Sequence, residues 1–192
     1  LFEDAYPVTI QAEGGEETGY PDFAAAFRAA DELSTTDNKA VAVKLYAATM
    51  ITELLEVSAG ADITLDLNGY AFRRRNQRVK TDTFNIPLPV KHEGDPGQLF
   101  EIDGSLTLND SRPDRIHTNA DRTAIGVPLY TKLPSGGAIV GGYRIRTDED
   151  VNDHLPSSIL DQAYGFIEIN GGGALTMNGG TFAGNSGEGN GG

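Results

Sequence analysis

Cysteine and tryptophan are both missing from this 192-residue chain, and methionine occurs only twice. Without a thiol, disulfides, cysteine nucleophiles and cysteine-ligated zinc are excluded. Basic residues are scarce as well: 15 lysines and arginines face 28 aspartates and glutamates, which leaves a formal charge of −13. Because a nucleic-acid binder needs a basic excess to neutralise phosphates, that class of protein is excluded.

Long apolar runs are also lacking: no stretch approaches the roughly 18 apolar residues of a membrane span, and none has the pattern of a signal peptide. Glycine, in contrast, is abundant, with 24 residues, about twice the usual share of roughly 7%. Together with a hydrophobic content of 39%, this indicates an elongated fold with much surface or flexible tails. Because the chain begins at Leu1 and stops in glycines at Gly192, we expect it to be the N-terminal part of something larger.

The first forty residues predict a short strand and one helix. Residues 6–12 alternate apolar and polar side chains, as a half-buried strand does. Residues 21–33 place Phe23 and Phe27 on one helical face, and Asp22 suits the helix N-terminus. We therefore expect an N-terminal unit over residues 1–40, a strand followed by a short capping helix.

After residue 40 the chain repeats itself. Aligned, three segments read LEV…LDLNG, FEI…LTLND and IEI…LTMNG, and each is a strand, a tight polar turn, a second strand and an asparagine. The second strands, at 63–68, 106–109 and 175–178, are predicted to lie parallel in one sheet. A unit this short cannot bury its apolar face alone, so it must stack on copies of itself.

Such stacking predicts an all-β fold, a parallel β-helix (a solenoid), over residues 41–192. Three long excursions interrupt the repeat, at residues 73–98, 111–135 and 146–164. Because long loops usually carry the function of a small protein, we expect any site to lie in them.

These segments resemble a known family. PDFAAAFRAADEL followed by VAVKLYAATMITELLEVSAGADITLDLNGYAF is similar to the N-terminal cap and first coils of pectin-lyase-like right-handed parallel β-helices. The succession of LDLNG, LTLND, GGAIVGG and LTMNGGTFAGNSGEGNGG resembles repetitive, adhesin-type surface proteins of Gram-positive, often gut-dwelling bacteria. The resemblance implies a right-handed coil and a secreted or cell-surface location. It implies little about chemistry, because one scaffold of this kind carries many functions.

We accordingly expect a non-catalytic extracellular or cell-surface module, a scaffold for adhesion or for contact with a glycan or cell-wall polymer. Two alternatives stay open. One is a polysaccharide lyase or glycoside hydrolase on the same scaffold, and the other is a self-assembling structural subunit that stacks through its open C-terminal coil. No cofactor is expected, and no residue pattern supports a Ca²⁺ site.

The most enzyme-like residues lie in the second excursion: Asp114, Arg115, His117 and Asp121. A lyase would use an arginine base with a carboxylate-bound cation, and a hydrolase would use paired carboxylates. However, no carboxylate pair has a spacing that fixes such a geometry, and the three histidines form no HxH or HExxH motif. We therefore expect no catalytic residue and no metal site here.

A basic run stands out in this acidic chain. Its members, the ligand-binding candidates, are Arg73, Arg74, Arg75, Arg78 and Lys80. Two interpretations stay open: the run pairs with acidic loops such as residues 148–150, or it binds an anionic glycan or a cell-wall phosphate.

Two sets of polar side chains recur at equivalent positions of the repeat. The asparagines that end the strands, predicted to form a structural ladder of stacked amides, are Asn68, Asn109 and Asn178. The outward carboxylates are Glu56, Glu101 and Glu168. Their sequence spacing implies intervening coils and separations of roughly 10 and 14 Å, too far for one metal shell.

The last repeat ends without a protecting feature. Residues 165–192 hold 11 glycines and two charged residues, Glu168 and Glu188. Native sheets usually protect an open edge with proline, lysine or a covering helix. We therefore expect either further coils after Gly192 or self-association through residues 166–185.

Overall fold

The computed structural model describes residues 5–74, 99–127, 129, 132–140 and 167–183. The strands in these ranges are β1 (Val8–Ala12), β2 (Thr18–Tyr20), β3 (Ala40–Leu45), β4 (Thr49–Ile51), β5 (Leu55–Val57), β6 (Asp62–Asp66), β7 (Ala71–Arg74), β8 (Phe100–Ile102), β9 (Ser105–Asn109), β10 (Ala138–Val140), β11 (Ile167–Ile169), β12 (Ala174–Met177) and β13 (Thr181–Ala183). The helices are α1 (Phe23–Asp37) and α2 (Asn119–Ala124).

The strands form three separate sheets. The first sheet has the order β12-β9-β6-β3-β1-β2, the second β13-β10-β7-β4 and the third β11-β8-β5. The second and third sheets are parallel throughout. The first sheet is mixed, because β1 runs antiparallel to both β2 and β3.

The expected fold class, an all-β right-handed parallel β-helix with one short capping helix, is therefore wrong. The described ranges contain several sheets rather than one closed solenoid, an antiparallel hairpin at one edge and a 15-residue helix packed against the strands. The alternation of apolar and polar residues predicts strands, but it does not say among how many sheets they divide. The division of the chain at residue 40 stays a prediction.

The pairing of the repeats is confirmed. β6, β9 and β12 lie side by side and parallel, with Leu106 opposite Leu175 in one pair and Leu65 opposite Leu108 in the other. The first repeat is displaced by two residues from the expected alignment, which had placed Leu65 opposite Leu106. Alternation in the three segments also predicts that six side chains are buried, namely Leu65, Leu67, Leu106, Leu108, Leu175 and Met177. The first four are buried, Leu175 is half-buried and Met177 is exposed.

Capping residues set both ends of helix α1. The Asp22 side chain accepts the backbone N–H of Ala25 at 2.8 Å and so caps the N-terminus. The helix runs to Asp37, beyond the expected end at residue 33, because Asn38 takes the left-handed conformation that stops a helix (φ 52°). Its apolar face packs against β1, β3, β5 and β6.

Candidate functional site

The second excursion, residues 111–135, leaves and rejoins the sheets at a corner where two carboxylates accept backbone hydrogen bonds. Asp66 accepts the backbone N–H of Ser111 at 2.9 Å. Asp110 accepts the backbone N–H of Gly69 at 2.7 Å through one oxygen and that of Gly137 at 2.6 Å through the other. Because Gly137 directly precedes β10, Asp110 ties the beginning of the excursion to its end.

Arg115 fastens the excursion to this corner. Its guanidinium donates two parallel hydrogen bonds to the carboxylate of Asp121, at 3.0 and 3.1 Å. The same group stacks on the ring of Tyr70, 3.8 Å from the centroid, and donates to the carbonyl of Gly69 at 3.3 Å. A planar, bidentate and stacked arginine forms a rigid cross-link.

Asp121 is buried and serves a second purpose at the start of α2. Its carboxylate accepts the backbone N–H of Thr118 at 2.6 Å, and the Thr118 hydroxyl accepts the Asp121 N–H at 3.1 Å, which is a capping box. Burial by itself would raise the pKa of the Asp121 carboxyl. The hydrogen bonds from Arg115 and Thr118 outweigh that effect and hold its pKa below the usual value.

His117 lies beneath the same cross-link and is only 3% exposed. Neither ring nitrogen makes a hydrogen bond of good geometry. Burial lowers the pKa of the imidazole, and the positive charges of Arg115 and Arg122 act in the same direction. The backbone of Gly136 and the charge of Asp121 oppose the change without cancelling it.

This burial predicts that the protein loses stability when His117 has to become charged. Because its pKa is lower in the folded than in the unfolded state, the unfolded state binds the extra proton first. The free energy of unfolding should therefore fall as the pH drops below 6.5, the ordinary value for this group. Urea unfolding across that range measures the fall, and His117→Phe should flatten it. If the double variant His92→Gln/His154→Gln flattens the profile instead, His117 is not the responsible group.

The remaining candidate of the excursion, Asp114, and the described members of the basic run do not take part in the Arg115–Asp121 pair. Asp114 is exposed on the loop before Arg115. Arg73 donates to the carbonyls of Ile125 and Gly126, and Arg74 is 2% exposed at the end of β7. Arg74 is therefore interior, whereas Arg73 is half-buried and contacts the backbone of the excursion. The other three members of the run, Arg75, Arg78 and Lys80, lie outside the described residues.

The structure brings two of the three asparagines together. The side-chain amide of Asn178 donates to the side-chain oxygen of Asn109 at 3.1 Å. Asn68 lies two positions further along, because the residue opposite Asn109 is Asp66. Its amide donates instead to the carbonyl of Leu45 at 2.8 Å.

The three glutamates are closer than their sequence spacing implied. Glu56, Glu101 and Glu168 lie directly opposite one another on β5, β8 and β11, which are neighbouring strands. Neighbouring strands lie about 4.8 Å apart, so the expected separations of 10 and 14 Å are wrong. Asn170 donates to Glu101 at 3.2 Å. In the part of the chain that the structure describes, no three histidine, aspartate or glutamate side chains are grouped as metal ligands would be.

Two contributors to the site went unpredicted. Tyr70 and Asp110 stand in the turns after two repeats, where their roles depend on a segment more than forty residues away. The capping box did leave a signal, since threonine followed three residues later by an acidic residue is typical of a helix start. Thr118 and Asp121 have that spacing.

Comparison of the chain with known protein families, with curated proteins and with solved structures found no match. Among the helices in the described ranges, none has the length and apolar character needed to cross a membrane.

Proposed function

We propose that this chain is a non-catalytic module of a secreted or cell-surface protein, a scaffold for adhesion or for contact with a glycan or cell-wall polymer. The supporting observation is that two of the acid and base candidates, His117 and Asp121, are held within the fold. The Asp121 carboxylate accepts four hydrogen bonds from Arg115 and Thr118, and His117 is enclosed. A general acid or base has to reach its substrate, and these two groups face their own loop instead.

The net charge of the chain favours some classes of polymer over others as the ligand. The chain carries a formal charge of −13, and of its basic run Arg74 is buried while Arg73 donates to the carbonyl of Gly126. An anionic glycan would meet repulsion over most of this surface. Neutral polysaccharides and polymers that carry amino groups therefore fit the proposed contact better than pectins or teichoic phosphates do.

A single set of incubations tests both parts of the proposal. The protein is mixed with neutral, amino-bearing and anionic polysaccharides, and soluble product and bound protein are measured separately. We expect retention on a neutral or amino-bearing polymer and no product from any of them, with or without Ca²⁺.

Product that disappears in Asp114→Ala, the exposed carboxylate of the cluster, would show an enzyme and contradict the proposal. Failure to bind any polymer would contradict the glycan contact. Selective binding to the anionic polymer, lost in the triple variant Arg75→Ala/Arg78→Ala/Lys80→Ala and kept in the exposed control Arg28→Ala, would assign the contact to the basic run and overturn the proposed polymer class.

A further inference from the structure

The last strands of all three sheets form one open edge. β11, β12 and β13 follow one another within residues 167–183, and each is the outermost strand of its own sheet among the described residues. In a parallel ladder the backbone groups of alternate residues point to opposite sides. Asn178 and Ala174 donate inward, to Leu108 and Gly104, so Leu175 and Met177 direct their N–H and C=O groups outward.

Side chains at this edge are exposed at positions that are buried one strand further in. Met177 is 44% exposed, whereas its neighbour Leu108 is fully buried. Ile169 is 49% exposed, whereas its neighbour Ile102 is fully buried. The edge thus exposes apolar side chains and unpaired backbone groups. In the inner strands, the equivalent side chains and backbone groups are covered by a neighbouring strand of similar sequence.

The opposite side of the sheets is closed. The first sheet ends there in β2, a strand of only three residues next to the acidic turn at 13–17. Helix α1 packs against β4 and β5, the outermost strands of the other two sheets. Charged neighbours and a covering helix are usual protections of a sheet edge.

Charge favours contact between copies at the open edge. Two chains with a formal charge of −13 repel each other over most of their surfaces. Residues 167–183 contain a single charged side chain, Glu168. The open edge is therefore a place where two copies can approach without stacking like charges.

We propose that the open edge of β11, β12 and β13 binds the same edge of a second copy of this chain. A contact between identical edges has two-fold symmetry, so β12 of one copy runs antiparallel to β12 of the other. β12 is the longest of the three strands and the natural centre of the contact. The proposal concerns assembly and does not depend on the polymer contact.

Sedimentation velocity over an about hundredfold range of protein concentration tests the contact. We expect a reversible shift from monomer to dimer. Met177→Lys replaces an exposed apolar side chain of the contact with a charge in both copies and should raise the dissociation constant at least about tenfold. Tyr6→Lys adds the same charge beside β2 at the closed side and should leave the dissociation constant unchanged. Circular dichroism of both variants checks that they are folded.

Thiol cross-linking provides an independent measurement, because the natural chain has no cysteine. Thr176→Cys in β12 and Thr18→Cys in β2 place one exposed thiol at either end of the first sheet. A short bifunctional thiol reagent should join two copies of the first variant and not of the second. A monomer at every concentration would overturn the proposal, as would association that Met177→Lys does not weaken or cross-linking that is equal in both variants.

Discussion

Replacing Phe72 with alanine is expected to lower the free energy of unfolding by about 3–5 kcal/mol. Phe72 is fully buried in β7, and its ring packs against those of Phe23 and Phe100, with centroids 5.0 and 6.2 Å apart. Phe27 completes the group, 6.0 Å from Phe100. The four rings join α1 to the second and third sheets, so a cavity at Phe72 weakens the contact between three elements at once.

Urea unfolding followed by circular dichroism measures the loss. Phe72→Leu should lose less than Phe72→Ala, because it fills most of the cavity. Ile116→Ala is the matched control, since this side chain is 79% exposed and should change stability by less than about 0.5 kcal/mol. Equal losses for Phe72→Ala and Ile116→Ala would mean that the four rings do not form a common core.

Arg115→Ala is expected to destabilise the docked excursion by about 3–5 kcal/mol, because it leaves the Asp121 carboxylate buried without its charged partner. The change also removes the stacking on Tyr70. Arg115→Lys should recover only part of the loss, since an ammonium cannot donate two parallel hydrogen bonds and stack at the same time. The double variant Arg115→Ala/Asp121→Ala should lose less than the sum of the single variants, because it removes both members of the pair.

Amide hydrogen exchange distinguishes this local effect from global unfolding. We expect faster exchange in residues 116–127 and little change in β6 and β9. Arg28→Ala is the control, because Arg28 pairs with Glu53 at an exposed position, where an ion pair contributes at most about 1 kcal/mol. Similar exchange in the two variants would show that the Arg115–Asp121 pair does not hold the excursion in place.

How much of this fold the sequence predicts depends on the range of the interaction. The repeats and their parallel pairing follow from alternation and self-similarity, which are local properties. The distribution of the strands among three sheets, and the antiparallel placement of β1 beside β3, depend on contacts between distant segments. The register of the first repeat was wrong by two residues because β6 carries its apolar pair one alternation earlier, at Ile63 and Leu65.

In the candidate site, too, local features could be predicted from the sequence and contacts between separate residues could not. The residue types of the excursion are visible in the sequence, and the capping pair Thr118 and Asp121 could have been found from its spacing. The pairing of Arg115 with Asp121 could not, since the loop before α2 can place two charges six positions apart either together or far from each other. The three glutamates were judged too distant because sequence separation counts loop residues, whereas their distance in space depends only on which strands are neighbours.

Asp110 directly precedes the excursion and accepts hydrogen bonds from Gly69 of a neighbouring turn and from Gly137 where the excursion ends, which makes this segment an insert with a fixed base. Closing a loop between fixed ends costs a free energy that grows slowly with length, by about 0.6 kcal/mol for each doubling. A longer, shorter or differently composed insert at this position therefore changes the exterior of the protein at little cost to the strands below. A different insert can therefore occupy this position while the sheets, and the Asp110 carboxylate that anchors the insert, stay as they are.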